Sequence, residues 1–139
     1  MGTRSLTYIN DGVENIVCLY RQYDGYPSGL GKELYEFLRD FNIVNGYGKA
    51  APTLANGIGC LAAQVIKKLK VETGNVYIYP PNSTDCGEEF TYTITTKNGK
   101  VYLKVDEIGW GVTPTTTIFT GEIRSFGAFL ESQKEKVAA

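Results

Sequence analysis

Residues 20–32 read Tyr-Arg-Gln-Tyr-Asp-Gly-Tyr-Pro-Ser-Gly-Leu-Gly-Lys, and these thirteen positions gather three tyrosines, an arginine, a lysine, an aspartate, three glycines and a proline. The chemistry open to such a set is recognition: a cation for an anion, phenol rings to stack on a flat heterocycle, and glycine backbone that a ligand can approach closely. Turn formation alone accounts for Asp24-Gly25 and Pro27-Ser28-Gly29, because these residue types favour turns. It does not call for Arg21, Tyr23 or Tyr26. We therefore expect Arg21, Tyr23, Asp24, Tyr26, Gly31 and Lys32 to belong to a ligand-binding loop, with Arg4 as a further cation.

A second glycine-rich stretch, Asn56-Gly57-Ile58-Gly59, stands at the start of a helical pattern as Gly29-Leu30-Gly31 does. Asn56 and Gly57 join the candidate set, since free N–H groups at a helix start suit an anion. Tyr77 and Tyr79 also join it, being two apart in a strand pattern and hence on one face. Neither glycine cluster has the six-residue dinucleotide spacing or the Lys-Ser/Thr ending of a phosphate loop. Histidine is absent, which removes the commonest general base and metal ligand and excludes Ser-His, Cys-His and histidine-metal hydrolases. An enzyme would have to use Asp24, Asp85, Glu88 or tyrosines as acid and base, and no pair of them has diagnostic spacing. Cys18, Cys60 and Cys86 are odd in number and far apart, so neither a disulfide framework nor a zinc site is signalled. Cys18 and Cys60 are expected as buried small apolar residues and Cys86 as the thiol open to reaction. No catalytic residue, metal or cofactor is assigned.

The elements that must position these groups follow from periodicity. Alternation over 5–9, a turn at Asn10-Asp11-Gly12 and an apolar run over 14–22 predict a hairpin whose second strand ends in Arg21 and Tyr23. Ser28 is placed to cap a helix carrying Leu30, Leu34, Phe37, Leu38 and Phe41 at helical spacing. Residues 42–52, centred on Asn45-Gly46-Tyr47-Gly48-Lys49, are expected as an exposed loop, and a second helix is expected from Leu54 through Leu69. A short strand at 76–79, a polar loop at 80–89, a hairpin around Asn98-Gly99 and a strand at 115–120 follow, with a C-terminal helix over about 125–136. The order predicts a single α+β domain spanning 1–139, with a mainly antiparallel sheet from hairpins backed by two or three amphipathic helices.

Ten tyrosines among 139 residues bias the surface toward amphipathic aromatic groups, and a net charge of −1 gives no broad positive field for duplex nucleic acid or an anionic membrane. No apolar stretch approaches the ~20 residues of a membrane span, so a cytoplasmic protein without membrane contact is expected. Tyrosine-rich surface and near-zero charge also favour a homo-oligomer.

The start Met-Gly-Thr-Arg-Ser, the run from Leu19 to Leu34, Ala-Asn-Gly-Ile-Gly-Cys-Leu-Ala at 55–62 and Tyr-Ile-Tyr-Pro at 77–80 together resemble a family of small uncharacterised phage, prophage and bacterial proteins. The resemblance covers roughly residues 1–105. Its phage setting implies a counter-defence role, among them sequestration of cyclic nucleotide or cyclic ADP-ribose signals in the host cytoplasm. Three functions stand open at this point. One is non-catalytic capture of a nucleotide-like small molecule, another is inhibition of a host protein through the tyrosine-rich surface, and the third is a histidine-independent enzyme acting on a nucleotide-like substrate.

Overall fold

Strands whose side chains alternate between two environments must bury one face, and the chain does so against helices on one side of a mixed sheet. The computed structural model describes residues 2–46, 48 and 50–138, with the side chains of 135–138 outside that description. The expected glycine-loop residues Tyr47 and Lys49 therefore lie outside the described residues. In chain order the elements are β1 (Ser5–Asn10), β2 (Asn15–Arg21), a π-helical turn (Pro27–Gly31) running into α1 (Lys32–Leu38), β3 (Asn42–Val44), β4 (Leu54–Asn56) and α2 (Gly57–Leu69). They continue with β5 (Val76–Tyr79), β6 (Phe90–Lys97), β7 (Lys100–Glu107), β8 (Thr116–Glu122), a 3₁₀ turn (Ile123–Ser125) and α3 (Phe126–Ala138).

Six strands form one sheet in the order β5-β2-β1-β6-β7-β8, and β3 and β4 form a separate parallel pair. The α+β class and the mainly antiparallel pairing expected from the hairpins are present. The exception is central: β1 and β6 run parallel, from Ser5 opposite Phe90 to Ile9 opposite Ile94. Hairpin signals are local and carry no information about which hairpins meet. The β6–β7 turn is the one the sequence specifies most strongly, and Asn98 and Gly99 both take positive φ, 52° and 77°, as a type I′ hairpin turn requires.

Ile9, Leu19, Tyr92, Ile94, Leu103 and Val105 point to the helix side and pack with Leu30, Leu34, Leu38, Leu61, Val65 and Phe126. A fully buried Leu or Ile side chain is worth ~1.5–3 kcal/mol, so this layer holds the helices in place. On the opposite face Leu6 and Cys18 are also fully buried. They lie there beneath residues 80–89, which run back along the sheet from the end of β5 to the start of β6. Tyr8 donates its hydroxyl to Ser83 O at 2.6 Å, Asn15 Nδ2 donates to Asn82 Oδ1 at 3.2 Å, and Glu89 N–H donates to Arg4 O at 2.9 Å.

Several sequence expectations change. Residues 42–44 are strand rather than loop, because Ile43 N–H finds Gly99 O at 3.0 Å and Asn42 N–H finds Thr53 O at 2.9 Å. The second helix begins at Gly57, not Leu54, since Leu54–Asn56 pair as β4, Asn56 (φ −92°, ψ 82°) is not helical, and the chain enters the helix through Gly57 at φ +82°. Ser28 does not cap α1: the helical path already starts at Pro27, whose ring presets φ, and no side chain caps it. Cys60 is exposed, with its thiol 3.4 Å from Gln64 Oε1, rather than buried.

Gly31 brings the start of α1 close against the core. A Cβ there would sit 3.0 Å from the Phe126 ring and 3.5 Å from that of Tyr92. Phe126 is fully buried, stacked on Phe129 at 5.2 Å and edge-on to Phe119 at 4.9 Å, so it has no direction in which to yield. Gly31→Ala is therefore expected to cost about 1–3 kcal/mol by overpacking. Gly59, in the first turn of α2 with open space around it, should gain about 0.5–1 kcal/mol on the same substitution. Urea unfolding of the two variants checks this, and the reverse order would remove Gly31 from the packing role.

Candidate functional site

The loop that follows β2 is built by its own polar groups. Arg21 enters from the end of β2 with its side chain only 9% exposed, pairs with Glu33 Oε2 of α1 at 2.6 Å and donates its Nε to Tyr23 O at 2.9 Å. Asp24 takes φ +59°, a conformation that Asp tolerates better than most residues, and its carbonyl accepts Leu30 N–H at 2.8 Å. Gly25 is clamped on both sides: its N–H donates to Thr3 O at 2.9 Å and its carbonyl accepts the buried Tyr92 hydroxyl at 2.7 Å. A Cβ at Gly25 would fall 2.7 Å from Ser5 Oγ, and that hydroxyl is the one buried side-chain polar atom found without a partner among the described residues. Burial pushes the Tyr92 phenol well above its usual range, so it stays a donor.

The two exposed tyrosines of the loop are also tied. Tyr23 donates to Glu72 Oε1 at 2.9 Å and Tyr26 to Asp24 Oδ1 at 3.2 Å, and these carboxylate partners raise both phenol pKa values. Asn75 holds the neighbouring backbone, accepting Gln22 N–H at its carbonyl (2.8 Å) and Tyr23 N–H at its side chain (3.1 Å).

The remaining candidates are dispersed. Arg4 is exposed and lies against Gly87, where a Cβ would meet its Nη1 at 2.8 Å. Asn56 Oδ1 accepts Gly46 N–H at 2.7 Å, and Gly57 begins α2 with open space around it. Tyr77 and Tyr79 sit on the helix-free sheet face with Tyr20, which stacks on Tyr79 at 4.9 Å and 7° and tilts toward Tyr77 at 6.1 Å. Gly31 is buried beneath Phe126. The structure thus gathers Arg21, Tyr23, Asp24 and Tyr26 into one knot, while Arg4 lies against Gly87, Asn56 and Gly57 stand at the start of α2, and Tyr77 and Tyr79 stack with Tyr20 on the sheet face.

Lys32, among the candidates, lines a groove. A groove of about 950 Å³ runs between α1 and α3, lined on one side by Pro27, Ser28, Lys32, Tyr35, Glu36 and Arg39. Gly127, Ala128, Leu130, Glu131, Gln133 and Lys134 line the other. Gly127 makes the helix contact possible, because a Cβ there would lie 2.5 Å from the Tyr35 hydroxyl. The Arg39 guanidinium stands 5.8 Å from the Tyr35 ring centroid, within cation–π range. Lys32 forms no ion pair among the described residues; Lys134 lies 3.5 Å from Glu131 and Arg39 lies 3.6 Å from Asp40. These last pairs are exposed on both sides and leave the cations largely free to engage a ligand. The sequence signal that could have found this wall is the set Lys32, Tyr35, Glu36 and Arg39, spaced i, i+3, i+4, i+7 on one helix face.

A second cluster of titratable groups lies beneath 80–89. Cys18 is buried, Cys86 is partly buried, and the buried Glu88 accepts Cys86 N–H at 2.7 Å. Burial, then the nearby Cys86 and Glu88, pushes the Cys18 thiol up to about 11; burial with Cys18, Glu88, Cys86 and Asp85 pushes the Tyr8 phenol to about 12. The Cys86 thiol is raised for the same first reason, so none of these groups is an activated nucleophile. Among the described residues no group of three or more Cys, Asp or Glu side chains is placed to hold a metal ion, and no helix is long and apolar enough to cross a membrane. Comparison with protein-family models, curated proteins and solved structures gave no match.

Two outcomes follow from this geometry. Arg21 is nearly buried while Glu33 is 43% exposed, so removing the carboxylate strands a cation whereas removing the cation leaves a carboxylate that water can reach. Glu33→Ala should cost about 2–4 kcal/mol and Arg21→Met about 1–2; equal losses in denaturant titrations would mean the pair is effectively solvated. Cys18 has a folded pKa raised from 9.0 to about 11. The stability it contributes is therefore complete below pH 9 and is lost as pH rises through about 11. Cys18→Ala should flatten the fall in unfolding free energy over that window, measured by urea midpoints; an unchanged slope would contradict it.

Proposed function

We propose that the protein is a non-catalytic binder of a small, anionic, nucleotide-like molecule, and that the α1–α3 groove is where it binds. The observation that carries this is the lining: Lys32, Arg39 and Lys134 surround apolar surface from Pro27, Tyr35 and Leu130 in a space of about 950 Å³. Sites for small molecules combine apolar walls with a few placed polar groups in roughly 300–1,000 Å³, and cations with an aromatic ring suit phosphate and base together.

Capture without conversion is favoured by the groups present. Ser28 supplies the one hydroxyl nucleophile of a conventional kind in the lining, and the chain has no histidine to activate it. In the host cytoplasm implied by the phage resemblance, such a protein would act as a sponge for a nucleotide-derived immune signal. Self-association fits the same reading. At the β5 edge Val76 N–H donates to Gly74 O and Val76 O accepts Lys70 Nζ. The longer β8 edge (Thr116–Glu122), with Thr116, Thr117 and Thr120 exposed, is the better place for copies to pair.

One observation favours a protein partner instead. Trp110 and Val112 are 65% and 103% exposed on the β7–β8 connection, held by Thr113 N–H donating to Trp110 O at 2.9 Å. Exposed aromatic anchors of this kind are typical of protein interfaces.

The deciding experiment incubates the purified protein with a panel of nucleoside mono-, di- and triphosphates and cyclic nucleotides, then analyses the supernatant and the heat-released fraction by mass spectrometry. Depletion with intact recovery is expected. The double variant Lys32→Ala/Arg39→Ala should weaken capture by about tenfold or more, with the melting temperature unchanged because both side chains are exposed. Recovery of a converted product would make the protein an enzyme. No depletion would overturn small-molecule capture and turn attention to the Trp110 surface.

A further inference from the structure

We infer that this chain self-associates head to tail, the Trp110 tip of one copy seating in the groove between α1 and α2 of the next. This contact uses a different groove from the nucleotide site and does not depend on it. Residues 108–115, which join β7 to β8, form a tip held by its own backbone. Thr113 N–H donates to Trp110 O at 2.9 Å and Gly109 N–H to Thr115 Oγ1 at 3.1 Å. Gly109 packs so closely on the Thr113 and Pro114 backbone that no Cβ fits, and Gly111 takes φ +57°. The tip so fixed presents Trp110 and Val112 to solvent, 65% and 103% exposed. An aromatic side chain on backbone that is already ordered loses little further freedom on binding, as suits an interface anchor.

The charges around the tip define what it fits. No charged residue lies between Glu107 and Glu122, so the tip itself is neutral. Its base carries carboxylates: Glu107 ends β7, and Glu89, whose carbonyl accepts Ile108 N–H at 2.9 Å, lies beside it. Both are exposed, and neither forms an ion pair among the described residues. Of the cations nearby, Lys104 pairs with Asp106 at 3.7 Å and Arg4 is laid against Gly87. The matching surface is an apolar recess with a basic rim.

The chain carries such a recess. A groove of about 470 Å³ is lined by Phe37 of α1, Pro52 of the segment before β4, and Gln64, Lys67 and Lys68 of α2. Its charges are both positive, whereas the α1–α3 groove also holds Glu36 and Glu131. The Lys68 ammonium stands 5.9 Å from the Phe37 ring centroid, so an incoming indole would meet an aromatic wall and a cation together, and Trp is the best of the aromatic side chains at holding a cation. Lys67, exposed and without an ion pair among the described residues, remains for the carboxylates at the base of the tip. Tip and groove are different surfaces of one chain, so the contact is heterologous and continues from copy to copy. One aromatic anchor buries about 150–250 Å², well below the roughly 800 Å² per partner of a standard interface. The association is therefore weak and concentration-dependent.

Trp110 is the one tryptophan of the chain, so its fluorescence, excited where tyrosine does not absorb, reads the contact directly. Its emission should move to shorter wavelength as the protein is concentrated from about 1 μM to about 1 mM, while sedimentation shows a mass above that of a single chain. Trp110→Ala and Lys67→Glu/Lys68→Glu should each stay single chains over that range. Adding the Trp110→Ala protein, whose groove is intact, to the Lys67→Glu/Lys68→Glu protein, whose tip is intact, should restore the emission shift and stop at a pair. Should the charge reversal unfold the domain, Lys67→Gln/Lys68→Gln takes its place, with association weakened about tenfold. Emission that does not move across the range, or that moves only on adding phosphatidylcholine vesicles, would overturn the inference. So would association that survives the lysine substitutions, which would place the contact elsewhere, at the β8 edge for instance.

Discussion

A single close approach, at Gly31, governs how the layers of this protein meet. Tyr92 from β6 in the middle of the sheet, Phe126 at the start of α3 and the entry to α1 all converge there, with both rings within 3.5 Å of where a Cβ would be. The Tyr92 hydroxyl extends the same contact to Gly25 O at 2.7 Å. Packing in protein interiors is dense enough that such a meeting point cannot absorb even one methyl group without movement elsewhere. The position of α3 relative to α1 is thereby set by the sheet, and the groove between the helices inherits its width from that contact and from Gly127 against Tyr35.

This constraint also explains why the most ligand-like stretch of the chain is largely occupied with itself. A loop that leaves β2 and enters α1 within a few residues must turn over the end of the sheet, and its backbone polar groups need partners there. Arg21 supplies one through Tyr23 O, Tyr92 another through Gly25 O, and Thr3 a third through Gly25 N–H. The Arg21 charge, once buried, needs Glu33 beside it. Residue types suited to recognising an anion or a carbonyl in a ligand are equally suited to recognising them in the chain's own backbone, and composition cannot distinguish the two uses.

What was legible in the sequence follows the same division between local and distant causes. The Asn98-Gly99 hairpin, the β1–β2 hairpin and the apolar face of α2 were visible because turn geometry and periodicity act over a few residues. The parallel meeting of β1 and β6 was not, because it depends on residues 80–89 carrying the chain back along the sheet. β3 and β4 escaped because three-residue strands hold too few side chains to show alternation, and Leu54 sits as well in the helical spacing of Ile58 and Leu61 as in a strand. Lys32 was among the residues picked out, but the groove it faces was not. Tyr35, Glu36 and Arg39 look on their own like the solvated side of an amphipathic helix. Their importance appears only when a helix nearly one hundred residues later lies across from them.

The two outer strands show how far the same residues can be read in physical terms once the fold is known. β5 carries Val-Tyr-Ile-Tyr with no charge of its own, a composition that would invite edge-to-edge pairing. Lys70, at the end of α2, reaches over this edge to donate to Gly74 O at 2.9 Å and Val76 O at 2.8 Å, with its ammonium 5.5 Å from the Tyr77 ring. Val76 therefore presents neither a free N–H nor a free carbonyl to another strand. β8, at the opposite edge, has no lysine and no proline within it. Lys70 thus occupies the Val76 end of the β5 edge, whereas β8 carries no lysine of its own and lies away from the knot around Arg21, next to the helix that forms one wall of the groove.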